Sequence, residues 1–207
     1  ILFPYEPYKC QLDYMDKVIN ALSTKSIAVL ESPTGTGKTL CLLCAVLGWQ
    51  KAQNETAKFS ENILKHELDG KKNIRPKFQI YYLSRTHNQL QQVIKELKKT
   101  EYTPKMTVLG SRDHLCVHEE VKKINNTISK NNSCGEKIKK NSCFYYSNTK
   151  KDIKIGLNAI FDIEEVAQAC RACSVCPFYY VRHLAENAEI LLMPYNYLID
   201  PRNRTSN

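Results

Sequence analysis

The residues with the most specific chemical pattern form one continuous segment, Ser32-Pro33-Thr34-Gly35-Thr36-Gly37-Lys38-Thr39. Two glycines in such a turn let the backbone curl so that several N–H groups face one anion, and the N-terminus of a following helix adds its positive dipole. With this spacing the Lys38 ammonium reaches the β- and γ-phosphates of a nucleotide, and the Thr39 hydroxyl binds Mg²⁺. The segment therefore predicts a phosphate-binding loop for ATP or another nucleoside triphosphate. Ser32 stands where the general pattern has glycine.

Cysteines are the second group of residues with distinctive chemistry, since the chain has nine of them and only seven glycines. An odd number of cysteines without a secretory signal argues against a disulfide framework and for reduced thiols or metal ligands. Cys170, Cys173 and Cys176 form a C-x-x-C-x-x-C pattern, whose spacing alone suits zinc or a ferredoxin-like half-site. Three other cysteines are expected to be core thiols, two of them within an apolar helix: Cys10, Cys41 and Cys44.

Positive charge is concentrated in one part of the chain. The 207 residues include 30 Lys and Arg against 21 Asp and Glu, which gives a net charge of +9 and a pI of about 9.0. Residues 121–154 alone hold nine lysines and two acidic residues. One interpretation is a solvated lysine-rich loop, and the other is a nucleic-acid surface on which lysines neutralise phosphates and release counterions.

Length and composition limit the classes of protein to which this chain can belong. A hydrophobic fraction of 43% in 207 residues suits one domain, or one domain plus a small insertion, and excludes a disordered tail. No apolar run approaches the roughly 20 residues that cross a membrane, and the residues after Ile1 do not resemble a signal peptide. Because the chain does not begin with Met, we expect a fragment of a longer protein.

Strands and helices that would position these residues alternate along the chain. Such alternation predicts an α/β fold, with a parallel sheet flanked by helices. Residues 54–76 are polar and predict a surface insertion, while residues 111–177 break the alternation and predict an inserted domain with six of the nine cysteines. The predicted elements are helix 11–22, strand 27–30, helix 38–52, strand 78–83, helix 87–99, strand 106–109, helix 178–187 and strand 189–193.

Six separate blocks of the sequence carry a family resemblance: PYKCQLDYMDKVI, LESPTGTGKTLCLLC, SRTHNQL, VLGSRDHLC, CPFYYVR and MPYNYLID. Together they resemble the XPD-like iron–sulfur DNA helicases of superfamily 2, in which a small residue commonly replaces the first glycine of the loop. The resemblance implies a RecA-like P-loop sheet. It further implies that residues 1–110 begin motor domain 1, residues 111–177 form a mostly helical iron–sulfur domain, and residues 178–207 return to motor domain 1.

The same resemblance assigns roles in nucleotide and DNA binding. Gln11 corresponds to the glutamine that recognises adenine, and its amide offers one donor and one acceptor. Ser84-Arg85-Thr86-His87 corresponds to a motif that holds single-stranded DNA through Arg85 and Thr86, although taken alone these residues would be typical of a helix N-cap. The residues implied at the nucleotide are Gln11 and the loop residues Ser32, Pro33, Thr34, Gly35, Thr36, Gly37, Lys38 and Thr39, with Lys38 and Thr39 as catalytic residues.

Further DNA contacts are implied after the last cysteine. Arg182, Tyr179 and Tyr180 are expected to bind phosphate or stack on bases, and the alternative for the tyrosines is packing against the sheet. Lysines of the charged segment would attract the DNA backbone: Lys122, Lys123, Lys137, Lys139 and Lys140.

A [4Fe–4S] cluster is implied as well, held by four cysteines with gaps of 18, 9 and 33 residues: Cys116, Cys134, Cys143 and Cys176. Cys170 and Cys173 have no counterpart in the family pattern, so a zinc site that includes them remains the alternative. The three histidines near these ligands are expected to lie on the surface: His114, His118 and His183.

The implied activity is that of an ATP-dependent 5′-to-3′ DNA helicase of the nucleus, acting in DNA repair, recombination control and telomere stability. Its cofactors would be ATP, Mg²⁺ and the 4Fe–4S cluster, and its partners single-stranded DNA and DNA junctions, with no membrane. The sequence contains no DEAH-type acidic box, so we expect the isolated chain to hydrolyse essentially no ATP. Two alternatives stand beside this interpretation: a non-catalytic metal-binding DNA-binding module with a vestigial P-loop, and a sibling helicase of the Fanconi anaemia group J or XPD type.

Overall fold

The computed structural model describes residues 1–64, 78–149, 155 and 160–201. The chain divides into two compact units. The first unit comprises Ile1–Phe78 with Gln92–Pro104, and the second comprises Gln79–Gln91 with Lys105–Asn207.

Two long helices form the first unit. Helix α1 spans Lys9–Thr24 and helix α2 spans Lys38–Leu64, and the two pack against each other. The chain leaves α1 through Lys25, whose φ of 54° places it in the left-handed region that commonly ends helices. Apolar residues at helical spacing fill the interface: Met15, Val18, Leu40, Leu43 and Leu47.

The helix predicted over 11–22 is confirmed, and the one predicted over 38–52 continues to Leu64. The beginning of the predicted insertion 54–76 is therefore helical, and its residues 65–77 lie outside the described part of the chain. Cys41 and Cys44 are buried in this helix as predicted. The prediction that Cys10 is a core thiol is wrong, because its side chain is exposed near the start of α1.

The prediction of a buried strand over Ile27–Leu30 is also wrong. These residues form no strand, and the side chains of Ile27 and Val29 are 98% and 94% exposed. A strand needs a neighbour for its backbone N–H and C=O groups, and no described strand pairs with this segment. Apolar character alone therefore does not make it part of a sheet.

A parallel three-stranded sheet lies in the second unit. Strands β1 (Ile80–Ser84), β2 (Met106–Val108) and β3 (Ile190–Pro194) are arranged in the order β1-β3-β2. Ile190 is the partner of both Ile80 and Met106, so β3 is the central strand and all five of its residues are buried. This arrangement confirms the predicted parallel sheet, and its buried centre explains the continuous apolar run of β3.

Helices surround this sheet and fill the segment between β2 and β3. Thr107 of β2 is fully buried and donates a hydrogen bond to the carbonyl of Val181, at 3.1 Å. Gln79 donates to the carbonyls of Ala185 and Ala188, at 3.0 and 2.9 Å, and so ties the start of β1 to the turn before β3. The remaining helices are α3 (His87–Leu97), α4 (Arg112–Leu115), α5 (Glu119–Lys122), α6 (Thr127–Lys139), α7 (Phe144–Thr149), α8 (Ile163–Ala172), α9 (Pro177–Ala185) and α10 (Asn196–Ile199).

The described residues between 111 and 177 contain helices and no strand, in agreement with the mostly helical segment predicted there. Across the described part of the chain, no helix combines the length and apolar character needed to cross a membrane.

Candidate functional site

The predicted phosphate loop forms a turn that leads directly into a helix. Gly35 and Gly37 have φ angles of 87° and 73°, in the left-handed region that glycine adopts without steric cost. Helix α2 begins at Lys38, and the N–H of Cys41 donates to the carbonyl of Gly37 at 3.0 Å. The free N–H groups of a helix N-terminus therefore follow the loop, as anion binding requires.

Side chains close the loop on itself. The Lys38 ammonium donates to the carbonyls of Ser32 and Pro33, at 2.6 and 2.7 Å. The Thr36 hydroxyl donates to the carbonyl of Pro33 at 2.9 Å, and the Ser32 hydroxyl lies 2.6 Å from the Thr36 oxygen. Ser32 thus makes a hydrogen bond that a glycine in its place could not make.

Gln11 connects the loop to the start of α1. Its Nε2 donates to the carbonyl of Thr36 at 3.1 Å, and its Oε1 accepts from the N–H of Tyr8 at 2.9 Å. A Cβ atom on Gly37 would lie 3.0 Å from Nε2 of Gln11, which is closer than most such contacts. The side chain of Gln11 therefore stands directly over the loop.

Ser84-Arg85-Thr86-His87 joins the end of β1 to the start of α3. The Thr86 hydroxyl accepts from the N–H of Gln89, and Oε1 of Gln89 accepts from the N–H of Thr86, both at 3.3 Å. Ser84 donates to the same Gln89 oxygen at 2.9 Å. This reciprocal arrangement is a capping box, and it leaves the Arg85 side chain exposed. Sequence reasoning overlooked Gln89, although the T-x-x-Q spacing was a signal for it.

The four predicted cluster ligands line one cavity in the second unit. Cys116 ends α4, Cys134 lies in α6, Cys143 precedes α7 and Cys176 precedes α9. Neither Cys170 nor Cys173 lines this cavity. The other lining residues are Val117, His118, Val121, Lys137, Ile138, Tyr145, Tyr146 and Tyr179.

Backbone hydrogen bonds bring Cys143 and Cys176 together. The N–H of Cys176 donates to the carbonyl of Tyr145 at 3.0 Å and to the hydroxyl of Thr149 at 3.2 Å. Both acceptors belong to α7, which begins directly after Cys143. Pro177 occupies the first position of α9, where its missing N–H costs nothing, and this accounts for the Cys-Pro pair.

Some groups around the cavity thiols raise their pKa and others lower it. The pKa of Cys176 is raised to about 11: burial raises it most, Cys143 and Cys116 raise it further, and hydrogen bonds from the backbone N–H groups of Tyr179 and Phe178 lower it. Burial likewise raises the pKa of Cys116, against the N–H of His118. Thiolates would therefore repel one another here unless positive charge lay among them.

Among the described residues, no group of three or more His, Cys, Asp or Glu side chains could hold a metal ion. Cys170 is completely buried, and burial with the nearby Cys176 and Cys173 raises its pKa to about 12.

Arg112 is a cavity neighbour that sequence reasoning missed. Its Nη2 donates to the Tyr179 hydroxyl at 3.1 Å, and its Cζ lies 3.9 Å from the centre of the Phe178 ring. Burial lowers the pKa of Arg112, but Cys134 and Tyr179 outweigh this effect and the net pKa is raised. In the sequence, proximity of Arg112 to the cavity is indicated by its position four residues before Cys116.

Arg182, predicted to contact DNA, packs against the same aromatic ring. Its Cζ lies 3.5 Å from the centre of Phe178, and its Nη1 donates to the Phe178 carbonyl at 3.0 Å. Tyr179 and Tyr180 are half-buried. Of the five predicted DNA-contacting lysines, Lys137 forms an ion pair with Glu120, and the exposed ones are Lys122, Lys123, Lys139 and Lys140.

The histidines near the cysteines differ in their surroundings. His114 and His183 are exposed, as predicted. His118 lines the cavity, and its buried Nδ1 has no hydrogen-bond partner among the described residues, so its prediction as a surface residue is wrong. The ring of His87 lies 4.3 Å from that of His114, and burial together with His114 lowers the pKa of His87 to about 4.

Comparison with solved structures identifies the fold. XPD helicase matches 97% of this chain with a TM-score of 0.57 and 19% identity, and the match covers 30% of that chain. A truncated XPD matches 93% of this chain with a TM-score of 0.56 and 20% identity, and the match covers 47% of that chain. These similarities confirm the predicted α/β fold.

Comparison with known sequences identifies the family. The chain is 41% identical to regulator of telomere elongation helicase 1 from Bos taurus and from Homo sapiens, over 98% of its own length and 18% of theirs. It is 40% identical to the homologue from Oryza sativa subsp. japonica, over 99% of its own length and 23% of that protein. The chain thus spans about a fifth of the length of these relatives.

The six blocks quoted above resemble the regulator of telomere elongation helicase in particular, and these similarities bear out that resemblance. The family model described as DEAD_2 matches residues 82–207, which is more than half of the chain. The chain belongs to the DEAD_2 family.

Proposed function

We propose that the whole protein is an ATP-dependent 5′-to-3′ DNA helicase and that this chain supplies part of its motor domain 1, interrupted by an iron–sulfur domain. The observation that carries the proposal is the convergence of Cys116, Cys134, Cys143 and Cys176 on one cavity. The similarity to regulator of telomere elongation helicase 1 and to XPD helicase supports the activity.

The loop from Ser32 to Thr39, with Gln11 above it, would bind ATP and Mg²⁺. The Lys38 ammonium now bonded to two loop carbonyls would turn to the β- and γ-phosphates, and the Thr39 hydroxyl would bind Mg²⁺. Loop N–H groups would hold the phosphates, and the Gln11 amide would recognise the adenine edge. These residues bind and orient the nucleotide.

The cysteine cavity has the donor set that a four-iron cluster requires. Each thiolate of such a cluster binds its own iron, so the four sulfurs surround the cluster instead of converging on a single ion. The four cysteines share a cavity, although no group of three or more His, Cys, Asp or Glu side chains placed to hold a metal ion is found among the described residues. When bound, the cluster would neutralise the thiolates and cross-link helices α4, α6, α7 and α9.

Single-stranded DNA and DNA junctions are the proposed nucleic-acid partners. Exposed Arg85 with Thr86 at the α3 N-terminus would hold the backbone, and Arg182 would contribute near the cysteine cavity. The exposed lysines of the charged segment would add salt-dependent attraction. A location in the nucleus and roles in DNA repair, recombination control and telomere stability are part of the same proposal.

The division into residues 1–110 and 178–207 of motor domain 1 and residues 111–177 of the iron–sulfur domain also remains a proposal. The chain lacks an acidic box that would hold Mg²⁺ and activate water. We therefore expect the isolated chain to hydrolyse essentially no ATP, and robust hydrolysis by it would contradict this expectation.

The test uses the full-length protein purified without oxygen. It should be brown, absorb near about 400 nm and contain about four irons per chain. Colourless protein with stoichiometric zinc would overturn the cluster. Lys38→Ala should abolish DNA unwinding while leaving iron content intact, with the exposed Lys51→Ala on the same helix as the matched control. Wild-type protein that binds DNA without unwinding it would instead support the non-catalytic module, and unwinding that survives Lys38→Ala would contradict the proposed role of the loop.

A further inference from the structure

Two helices that carry predicted cluster ligands are joined by an ion pair whose lysine is buried. The Lys130 ammonium of α6 donates to Oδ1 of Asp113 in α4 at 2.6 Å. The Lys130 side chain is only 7% exposed, whereas that of Asp113 is 34% exposed. Burial of a lysine is rare, and an unpaired buried ammonium would be costly. The pair therefore fixes the position of α6 on α4.

Neighbouring groups complete the arrangement around Asp113. Its Oδ2 accepts hydrogen bonds from the Thr127 hydroxyl at 3.1 Å and from the Ser111 hydroxyl at 3.3 Å. The hydrogen bonds from Lys130 and Thr127 outweigh the effect of burial and lower the pKa of the Asp113 carboxyl. Both oxygens of the Asp113 carboxylate therefore accept hydrogen bonds.

A second bond joins the same helices, from the residue before Asp113 to the residue after Lys130. Nη1 of Arg112 donates to Oδ1 of Asn131 at 3.2 Å. Arg112 and Asp113 are consecutive in α4, and Lys130 and Asn131 are consecutive in α6. Two side-chain bonds in parallel therefore hold the helices in a single register.

This register decides where two of the cysteines lie. Cys116 follows Asp113 by three residues and Cys134 follows Lys130 by four, so each cysteine lies about one helical turn beyond its ion-pair residue. Cys143 and Cys176 are held together by backbone bonds of Cys176 to α7. On the Cys116–Cys134 side of the cavity, side-chain bonds between α4 and α6 hold the helices together. Single substitutions can therefore remove these bonds.

We propose that the Asp113–Lys130 ion pair is a positioning element of the cysteine cavity, which holds Cys116 and Cys134 in the register that a four-iron cluster needs. This inference rests on the proposed iron–sulfur site. Neither residue lines the cavity, and both act through the helices that carry the ligands.

The test compares variants of the full-length protein purified without oxygen. Iron release to a chelator is followed by the loss of absorbance near about 400 nm, at a temperature at which circular dichroism shows every variant folded. Asp113→Asn and Lys130→Met should release iron about 10- to 100-fold faster than the wild type, the usual effect of losing an outer-shell partner. Lys130→Arg keeps the cation and should remain within a few-fold of wild type.

The double variant Asp113→Asn/Lys130→Met separates positioning from simple stability. It leaves no unpaired buried charge, so thermal stability should recover relative to the single variants. Iron release should remain fast, because the bond between the helices is still missing. Recovery of both properties, or wild-type iron release in the single variants, would overturn the inference.

Glu136→Gln is the matched control. Glu136 lies in the same helix as Lys130 and its side chain is exposed, so this substitution should leave the contacts between the helices unchanged. Its iron release should equal that of wild type. Wild-type protein that contains no iron would overturn the proposed site and this inference together, whereas iron-loaded wild type with unaffected variants would overturn the inference alone.

Discussion

The side-chain amide of Gln11 donates a hydrogen bond to the backbone carbonyl of Thr36, at 3.1 Å. The two residues are 25 positions apart, one in the first turn of α1 and the other in the phosphate loop. The same amide accepts from the N–H of Tyr8 at 2.9 Å. A residue proposed to recognise the nucleotide base is thus bonded to the loop proposed to hold its phosphates.

Replacing Gln11 with Ala should weaken ATP binding by the full-length protein. A neutral hydrogen bond contributes about 0.5–1.5 kcal/mol, so the KM for ATP should rise by up to about tenfold for the loop contact alone. Steady-state ATPase kinetics would measure the change. The control is Asp16→Asn on an exposed position of α1, and an unchanged KM in Gln11→Ala would show that the contact plays no part in nucleotide binding.

Alanine should have opposite effects at two glycines. At Gly37, φ is 73° and the new Cβ would lie 3.0 Å from the Gln11 amide, so Gly37→Ala should lower both stability and ATP affinity. At Gly135 the added Cβ meets nothing within 4 Å inside helix α6, so Gly135→Ala should stabilise by about 0.5–1 kcal/mol. Thermal unfolding and nucleotide titration would test both, and equal effects at the two positions would contradict the assigned loop geometry.

Replacing Arg112 with Lys should accelerate iron loss from the full-length protein. The guanidinium bonds Tyr179 and Asn131 and lies over the Phe178 ring, and the single ammonium of lysine cannot make these contacts together. An effect of about tenfold on iron release, followed near about 400 nm, is expected. Arg171→Lys, at an exposed position of α8, is the control and should release iron at the wild-type rate.

Acid should destabilise the protein partly through His87. Burial and His114 lower the pKa of His87 in the folded state to about 4, below its usual value of 6.5. Between these two values the unfolded chain binds the proton more strongly, so this contribution to stability is lost as the pH falls from 6.5 towards 4. Above 6.5 His87 is neutral in both states and adds no pH dependence.

The measurement is the urea midpoint of wild type and His87→Asn at pH 7 and pH 5. Wild type should lose more stability than the variant over this interval, because only wild type must exclude a proton from the buried ring. His183→Asn replaces an exposed histidine and should follow the wild type. Parallel pH dependence in His87→Asn and wild type would refute the assignment.

Local sequence patterns determined several features of this protein. The glycines and lysine of the loop predicted a turn into a helix, and the apolar runs predicted parallel strands where β1, β2 and β3 occur. The bounds differ by a few residues at most, except for α2, which continues to Leu64. These patterns depend on neighbours within a few residues, so the sequence contains them directly.

Other features were decided only by contacts between distant residues. Ile27 and Val29 have the apolar character of a buried strand but are exposed, because a strand also needs a partner for its backbone. His118 was expected on the surface and lines the cavity, and Arg112 and Lys130 were not expected to pack beside the cysteines. Residue type alone does not show which surface of one helix faces another.

The two proposed sites illustrate the difference. For the phosphate loop, the sequence by itself determined which residues form the turn, since eight consecutive residues carry the geometry. For the cysteines, only the tertiary structure decided that Cys116, Cys134, Cys143 and Cys176 share a cavity that excludes Cys170 and Cys173. The order of the cysteines along the chain is compatible with several different sets of ligands. The choice depends on the register between helices, which side-chain bonds such as Lys130 to Asp113 fix across the fold.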